Sequence, residues 1–424
     1  MKKNENNIEN FLIWEYLEIP KKMKWENYQI NWEKSWGKRN KWENGCYGIF
    51  INFFDKVYNF IQSKLFDKLY DKEKCGKILF FAGAKYKNIL TETKKHYSIS
   101  LAVSGIRDRL FATKNFIGYF PESKYRKLVS KYINEKNVKH LNKLIDLIEI
   151  DLISMKPNFI ILGDDCLPIA KAVILVSRKL KIPTILIQCG HATSNIPVDY
   201  GKRADYILVW GKYYKTFFIK NSIRKPDDLY ILGYPLKIEK NNAFSKENNN
   251  YTVCYLGQKW EKYSNVLFEE KIDTIKKVND VCSKLGIDFI YRPHPGEDIQ
   301  LIKNKISHIK FTRKGEKLVD TIKKNDIFIS FNSTALVEVF MYSKICIQLL
   351  SISLSVVNFE KLGICNKTFK DIEELENYLR ILANSNSEEL NNFRKKFNND
   401  YIDITHEPSK RFLEILEDIK RKRK

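Results

Sequence analysis

The stretch FIYRPHPGED, residues 289–298, decides how the rest of the chain is interpreted. Its first three residues form a short apolar run that is typical of a buried strand. Pro293 and Pro295 then flank His294, and proline continues neither a sheet ladder nor a helix. The sequence therefore predicts that His294 is held on a stiff loop at the carboxyl end of a strand. Open α/β sheets bind their ligands at that edge.

A second stretch, DIFISFNSTALVE at residues 326–338, follows further along the chain. It predicts a strand, then a hydroxyl-rich turn at Ser333 and Thr334, then a helix. The free N–H groups at a helix N-terminus bind anions. A His-Pro loop and a Ser-Thr helix start on nearby strands would together hold a phosphate. Plain N-capping by Ser333 is the alternative, and it is compatible with phosphate binding.

On either side of these stretches, short apolar runs alternate with helical segments. This rhythm is typical of parallel sheets with helices packed on them. A polar, low-complexity stretch at residues 237–250 interrupts the rhythm and is interpreted as an interdomain linker. The predicted strands are KILFFAGAK (77–85), HYSISLAVSG (96–105), LFATKNFIGYF (110–120), PNFIILGDD (157–165), TILIQ (184–188), ADYILVWG (204–211), DLYILGYP (228–235), YTVCYLG (251–257), FIYRPHP (289–295), HIKFT (308–312), DIFISFNST (326–334) and KICIQLL (344–350).

Two α/β domains joined by a linker leave a cleft in which a ligand can bind. We expect the domains at residues 76–236 and 251–371, with C-terminal helices at 372–424. Residues 1–75 form a separate aromatic and basic extension that holds five of the seven tryptophans. Apolar residues between 49 and 70 follow helical spacing on one face. They predict either a surface that docks on a membrane or glycan, or a helix packed on the main body.

Composition narrows the class of protein. The chain has 424 residues and 44% hydrophobic residues, which is ordinary for a globular protein. No stretch approaches the roughly 18 consecutive apolar residues of a transmembrane helix. The N-terminus MKKNENNIEN lacks the apolar core of a signal peptide, so we expect a cytoplasmic protein. The eight cysteines contain no C-x-x-C pair and are interpreted as reduced and structural.

The formal net charge of +23 suggests an anionic partner, either phosphorylated substrates or a membrane surface. A generally lysine-rich composition is the alternative, because the lysines are spread over the whole chain. No nucleic-acid-binding motif is present, so we expect no nucleic-acid partner.

Several motifs in a fixed order now define a resemblance. The order is IPT followed by a strand and Gln-x-Gly, then ADYILVWG, ILGYP, RPHP and SFNSTALVE. It resembles GT-B glycosyltransferases of bacterial surface-polysaccharide assembly. The most similar groups are sialyl-, polysialyl- and Kdo-transferases that use CMP-sugars, and teichoic-acid glycerophosphotransferases. The resemblance covers about residues 157–350 and more weakly 77–156. It implies two Rossmann-like domains facing a central cleft, the first for the acceptor and the second for the donor.

The resemblance also implies roles for the two opening stretches. His294 matches the His-Pro motif that contacts the donor phosphate, and Ser333 with Thr334 matches the paired-hydroxyl motif. The chemistry agrees, because an imidazole N–H on a rigid loop can stabilise charge on a departing nucleotide. A histidine that only closes a turn is the alternative.

Asp164 and Asp165 end a predicted strand of the first domain and are the candidates for the general base. An inverting transfer needs one carboxylate to take the proton of the acceptor hydroxyl. In the sialyltransferases the acidic pair is followed by Gly, whereas here Gly163 precedes the pair and Cys166 follows it. The choice between the two aspartates therefore stays open, and capping of the helix that starts near Pro168 is the alternative.

Five further residues are candidates through the resemblance. His191 lies in QCGH where many relatives have Gln-His-Gly, and is interpreted as an acceptor contact or second base. Gln258, Lys259 and Arg292 would line the donor side, with Lys259 pairing with a diphosphate or a sugar carboxylate. Glu338 would hold ribose hydroxyls, and a solvated helix glutamate is the alternative.

These observations predict a metal-independent and inverting glycosyltransferase without a cofactor, because no DxD pair is placed for Mg²⁺. The donor would be a nucleotide-sugar, with CMP-linked acidic sugars favoured, and the acceptor a surface glycan or glycolipid. The basic tail at residues 420–424 would hold the protein at the anionic inner leaflet. The alternative for the basic tail is that it is only solvated. The alternatives for the function are a UDP-sugar 2-epimerase, a glycerophosphotransferase and a non-catalytic GT-B-like binding protein. The epimerase is disfavoured, because this sequence has no Gly-Gly and no pair of acidic residues after the Ser motif.

Overall fold

The structure is a computed structural model that describes residues 8–14, 57–58, 75–103, 106–190, 200–221, 223–236, 251–353, 356–385, 389 and 400–423. His191, the predicted linker and most of the N-terminal extension lie outside the described residues. Tyr58, from the predicted amphipathic helix, stacks on Tyr119 with ring centroids 4.2 Å apart. It also donates a hydrogen bond to the Ile117 carbonyl at 3.1 Å.

The first domain is built on a parallel sheet of seven strands in the order β3-β2-β1-β4-β5-β6-β7. The strands are short and mostly buried, because helices cover both faces of the sheet. The elements are β1 (Lys77–Phe81), α1 (Lys87–Thr93), β2 (Ser98–Val103), α2 (Ile106–Lys114), β3 (Gly118–Pro121), α3 (Ser123–Glu135), α4 (Lys139–Met155), β4 (Phe159–Leu162), α5 (Pro168–Lys179), β5 (Thr184–Ile187), β6 (Tyr206–Val209), α6 (Lys212–Lys220) and β7 (Leu229–Ile231).

The second domain is built on a parallel sheet of five strands in the order β12-β11-β10-β8-β9. The chain then returns to the first domain. In order, the elements are β8 (Thr252–Leu256), α7 (Asn265–Lys284), β9 (Asp288–Arg292), α8 (Ile299–Lys305), α9 (Leu318–Lys324), β10 (Ile327–Ser330), α10 (Thr334–Met341), β11 (Ile345–Leu349), β12 (Lys367–Phe369), α11 (Ile372–Asn384) and α12 (Pro408–Lys422).

The two C-terminal helices pack on different domains. Leu375 and Leu379 of α11 belong to the core of the second sheet. Phe412 and Leu416 of α12 belong instead to the core of the first sheet, beside Phe80 of β1. The chain therefore crosses between the domains a second time after α11. This crossing ties the two domains together at the C-terminus as well as at the linker.

The predicted fold of two doubly wound α/β domains is confirmed, and two of the predicted strands are corrected. HIKFT makes only one isolated bridge, between Tyr291 and Phe311, and is not a regular strand. LFATK belongs to helix α2, and only GYFP, residues 118–121, forms a strand. Residues 123–155, which lie between two of the predicted strands, form two helices, because Lys136 adopts a left-handed conformation that ends the first. The short strand β12 carries too little apolar pattern to be seen in the sequence.

Both sheets have a point where the strand order reverses, and the carboxyl ends of the strands form a crevice there. In the first sheet this point lies between β1 and β4. Gly163 follows β4 closely against β1, since a Cβ on it would lie 3.2 Å from the Cβ of Ala82. In the second sheet the reversal lies between β8 and β10. The predicted pairs Asp164–Asp165 and Gln258–Lys259, and the Ser333 turn, thus all follow strands at a reversal point.

Candidate active site

The His294 loop fixes one of the two ring nitrogens of the imidazole by a hydrogen bond. Nδ1 of His294 accepts a hydrogen bond from the Gly296 backbone N–H at 3.0 Å. The neutral ring therefore carries its proton on Nε2. Burial, followed by the nearby Lys259 charge, lowers the pKa of His294 below its usual 6.5. A neutral ring with an Nε2–H donor is the form suited to an anionic oxygen.

Gln258 and Lys259 stand beside this loop at the end of β8. Oε1 of Gln258 accepts the backbone N–H of Asn332 at 3.1 Å, so its side chain links the β8 loop to the β10 loop. Nζ of Lys259 lies 5.8 Å from the centre of the Tyr263 ring. Among the described residues, no carboxylate lies within ion-pair distance of Lys259. Its charge is thus available to a ligand.

The Ser333 turn begins α10 as predicted. The Ser333 hydroxyl caps the helix by accepting the Ala335 N–H at 3.2 Å, and Ser333 is buried while Thr334 is half-buried. Next to them, Oδ1 of Asn332 is buried and has no hydrogen-bond partner among the described residues. Ser333 therefore acts as the N-cap of α10. This is compatible with anion binding by the other free N–H groups at the start of the helix.

The guanidinium of Arg292, a residue predicted to line the donor side, forms hydrogen bonds with two neighbouring segments. One terminal guanidinium nitrogen donates to the Thr321 hydroxyl at 2.5 Å and the other to the Glu316 carbonyl at 2.9 Å. Burial lowers the pKa of Arg292. The side chain thus links α9 to β9. The neighbouring residues in the sequence do not indicate this contact.

Glu338 lies at the boundary between the domains. Its carboxylate shares a hydrogen bond with the Tyr234 hydroxyl, which follows β7 in the first domain. Burial, followed by the Glu338 charge, raises the pKa of Tyr234 well above its ordinary value. The residue predicted to hold ribose hydroxyls therefore has a tyrosine hydroxyl as its neighbour in this structure.

The two aspartates of the first domain differ in their environments. Oδ1 of Asp164 accepts the N–H groups of Cys166 and Leu167, each at 2.7 Å, ahead of helix α5. Burial raises the pKa of the half-buried Asp164, and these two hydrogen bonds oppose the rise. Asp165 is fully buried, and its two oxygens accept the N–H groups of Gly201 at 2.9 Å and Arg203 at 3.0 Å. Asp164 is therefore the less buried of the two carboxylates.

Two tyrosines lie at the carboxyl end of β5, the buried Tyr86 and the half-buried Tyr200, and sequence reasoning missed both. The Tyr200 hydroxyl accepts the backbone N–H of Cys189 at 2.9 Å. Burial raises the pKa of Tyr86 well above its ordinary value, with smaller contributions from Cys189 and Asp164. A Cβ added to Gly190 would meet no atom of the described residues within 4 Å.

A further buried group, also missed, lies beneath the His294 loop. Glu297 accepts hydrogen bonds from Lys271 at 2.7 Å and from the Tyr291 hydroxyl at 2.7 Å, and from the His294 backbone N–H. The sequence signal was the acid directly after HPG, which looked like an ordinary loop residue. Among the described residues, no group of three or more His, Cys, Asp or Glu side chains is placed to hold a metal ion.

Comparison with known proteins shows the fold. No protein-family model matches the sequence, and no curated protein matches it. Among solved structures, the chain is similar to a protein assigned as UDP-N-acetylglucosamine 2-epimerase from Listeria monocytogenes, with a TM-score of 0.58 and 12% identity over 82% of this chain and 97% of that one. The UDP-GlcNAc 2-epimerase of Methanocaldococcus jannaschii, in complex with UDP-GlcNAc and UDP, has a TM-score of 0.51 and 14% identity over 81% and 99%.

A glycosyltransferase from Rickettsia africae is similar at a TM-score of 0.52 and 11% identity, over 82% of this chain and 98% of that one. These likenesses establish the GT-B fold, with two Rossmann-like domains facing a central cleft. The identities are too low for them to establish more than the fold. Within the described residues, none of the helices has the length and apolar character needed to cross a bilayer.

Proposed function

We propose that this protein is a GT-B glycosyltransferase that moves a sugar from a nucleotide-activated donor to a glycan or lipid-linked acceptor. The main support for the proposal is that the two domains carry different chemistry at the carboxyl ends of their strands. Hydrogen-bond donors and positive charge collect in the second domain, at His294, Lys259 and the start of α10. A carboxylate with a raised pKa, Asp164, lies in the first domain.

In the proposed reaction, Asp164 takes the proton of the acceptor hydroxyl as its oxygen attacks the anomeric carbon. A new carbon–oxygen bond forms on one face while the bond to the donor phosphate breaks on the other, which inverts the configuration. The bonding electrons leave with the phosphate. His294 Nε2–H, the Lys259 ammonium and the α10 N-terminus stabilise that developing charge. These groups supply the positive charge that a metal ion supplies in other transferases, so we propose metal-independent transfer.

A nucleotide screen tests the donor site. We expect one of CMP, CDP or UDP to raise the melting temperature, with CMP favoured by the resemblance of the His-Pro and Ser-Thr motifs. A ligand at 100 times its Kd stabilises the folded state by about 2.7 kcal/mol. Lys259→Gln removes the available charge and is expected to reduce the shift. The exposed Lys262→Gln, on the same loop, is the matched control. Absence of a shift with all three nucleotides would favour a non-catalytic binding protein.

A UDP-sugar 2-epimerase is the second candidate, because two of the similar structures carry that assignment. The two activities differ in what they need. An epimerase converts UDP-GlcNAc to its 2-epimer without an acceptor, whereas a transferase releases free nucleotide only as the sugar moves. Incubation with UDP-GlcNAc alone, followed by separation of the epimers, distinguishes them. A glycerophosphotransferase would instead require a CDP-linked glycerol donor.

We also propose that the protein is cytoplasmic and binds the inner leaflet at its periphery. The carboxyl end of α12 exposes Arg421, Lys422 and Arg423. Each basic residue near an anionic surface contributes about 1 kcal/mol of attraction, which falls with salt. The neighbouring Asp418, which pairs with Arg421 and Lys422, reduces this net charge.

Vesicle sedimentation tests this membrane contact. We expect binding to phosphatidylglycerol vesicles that weakens with salt, and at least a tenfold loss in the Arg421→Gln, Lys422→Gln, Arg423→Gln variant. The Lys276→Gln, Lys277→Gln variant removes exposed charge from α7 and serves as the control. Equal binding by both variants would show that the tail is only solvated.

A further inference from the structure

A buried ion pair lies directly beneath the candidate donor loops. Lys271 of α7 is 1% exposed and Glu297 is 8% exposed. Nζ of Lys271 donates to Oε1 of Glu297 at 2.7 Å, to the Gln258 carbonyl at 3.0 Å and to Oε2 of Glu261 at 3.3 Å. These three acceptors match the three donors of an ammonium group. The lysine is thus fully engaged in holding neighbouring chain segments.

Glu297 is engaged just as completely, but toward the other loop. Its Oε1 accepts from Lys271 and from the Tyr291 hydroxyl at 2.7 Å. Its Oε2 accepts the backbone N–H of His294 itself. The Glu297 carboxylate therefore holds the backbone of His294, which lies three positions earlier in the chain.

The pair joins the loop after β8 to the loop after β9. A second connection runs in parallel, because the Asp298 N–H donates to Oε1 of Glu261 at 3.1 Å. The two loops also meet in direct contact at Gly257, where a Cβ would lie 2.2 Å from the Tyr291 hydroxyl and 2.4 Å from Oε2 of Glu297. The separation between the His294 loop and the Gln258–Lys259 loop is thereby set by buried contacts.

We propose that Glu297 and Lys271 are a positioning pair that holds His294 and Lys259 at the spacing needed for the donor phosphate. A buried ion pair is a poor source of stability, since apolar residues of similar volume often stabilise as well or better. Supporting contacts that lock a site in its working geometry are the better explanation. The inference deepens the proposed function and rests on it for the identity of the ligand.

The test uses three variants of the full chain. In Glu297→Gln the side chain keeps its size. In one orientation its NH₂ group faces the Lys271 ammonium, and in the other it faces the His294 N–H, so one hydrogen bond is lost either way. Lys271→Met leaves the Glu297 carboxylate buried without its cation. The double variant removes both charges and is expected to regain thermal stability relative to Lys271→Met. Glu376→Gln, which breaks the more exposed pair with Lys284, is the control.

The readout is the nitrogen spectrum of His294, assigned by its loss in His294→Gln, together with the Kd for the nucleotide found in the screen. In the unmodified protein we expect the Nε2–H tautomer and a pKa below 6.5. In Glu297→Gln and in the double variant, we expect a mixture of tautomers, a pKa closer to 6.5 and at least a tenfold higher Kd.

A double variant that regains stability with an unchanged His294 spectrum would overturn the positioning role and leave the pair purely structural. Failure of the proposed function looks different. In that case the unmodified protein binds no nucleotide, yet the His294 spectrum still reports whether the pair positions the ring. A changed spectrum with nucleotide binding intact would also contradict the proposal, since the spacing would then not matter to the ligand.

Discussion

His294→Ala is expected to lower sugar transfer by about 10²–10³-fold, the typical effect of removing one donor to a developing negative charge. The loss should fall mainly on kcat, because the Nε2–H bond strengthens as charge builds on the departing phosphate. Steady-state kinetics with the nucleotide-sugar identified by the screen measures the effect. His308→Ala changes an exposed histidine of the same domain and is expected to leave transfer unchanged.

The same residue predicts a dependence on pH. The pKa of His294 in the folded state lies below its ordinary value, so folding disfavours the charged ring. Stability linked to His294 is complete above about pH 6.5 and is lost as the pH falls through the lowered pKa. Protonation of Nδ1 also breaks its hydrogen bond from Gly296. A His294→Ala variant that transfers sugar at the normal rate would remove this histidine from the mechanism.

Asp164→Asn is expected to lower transfer by about 10²–10⁴-fold, the usual contribution of a positioned general base, while nucleotide binding persists. The base acts only when deprotonated, so transfer should fall as the pH drops through the Asp164 pKa. Because burial raises that pKa above 3.8, the fall should begin at a higher pH than for an exposed aspartate. This acid limb of the pH profile should disappear in the variant.

Asp165→Asn is the matched comparison for Asp164→Asn. It weakens the acceptor of two backbone N–H groups in a fully buried position. We expect a loss of about 2–3 kcal/mol in the free energy of unfolding, measured in urea, because hydrogen bonds to charged groups are the strong ones. Full transfer by Asp164→Asn, with transfer lost in a folded Asp165→Asn, would reverse our choice of base.

Much of the fold could be predicted because its physical cause is local. Runs such as PNFIILGDD and TILIQ are apolar throughout, as a strand covered on both faces requires, and both became strands of the first sheet. HIKFT was also predicted to be a strand, but it does not form a regular one. It alternates, but its segment joins the sheet by a single bridge between Phe311 and Tyr291 of the edge strand β9.

The placement of the candidate residues at the carboxyl ends of strands could also be predicted, because strand ends are visible in the sequence. The direction of individual side chains could not. Arg292 adjoins the His-Pro motif, yet its guanidinium binds Thr321 and the Glu316 carbonyl. Asp164 and Asp165 are adjacent in sequence, yet successive side chains leave a loop in different directions. Asp164 is half-buried ahead of α5, whereas Asp165 is fully buried and accepts the N–H groups of Gly201 and Arg203.

The sequence by itself determined two parallel α/β sheets and a stiff histidine loop, since apolar periodicity and proline act over a few neighbouring residues. Only the tertiary structure decided what surrounds that loop. Lys271 and Glu297 are separated by the remainder of α7 and by β9, and they meet because α7 and the β9 loop pack together. No local pattern marks such a pair, because the free energy of a buried charge depends on partners that only folding brings into contact.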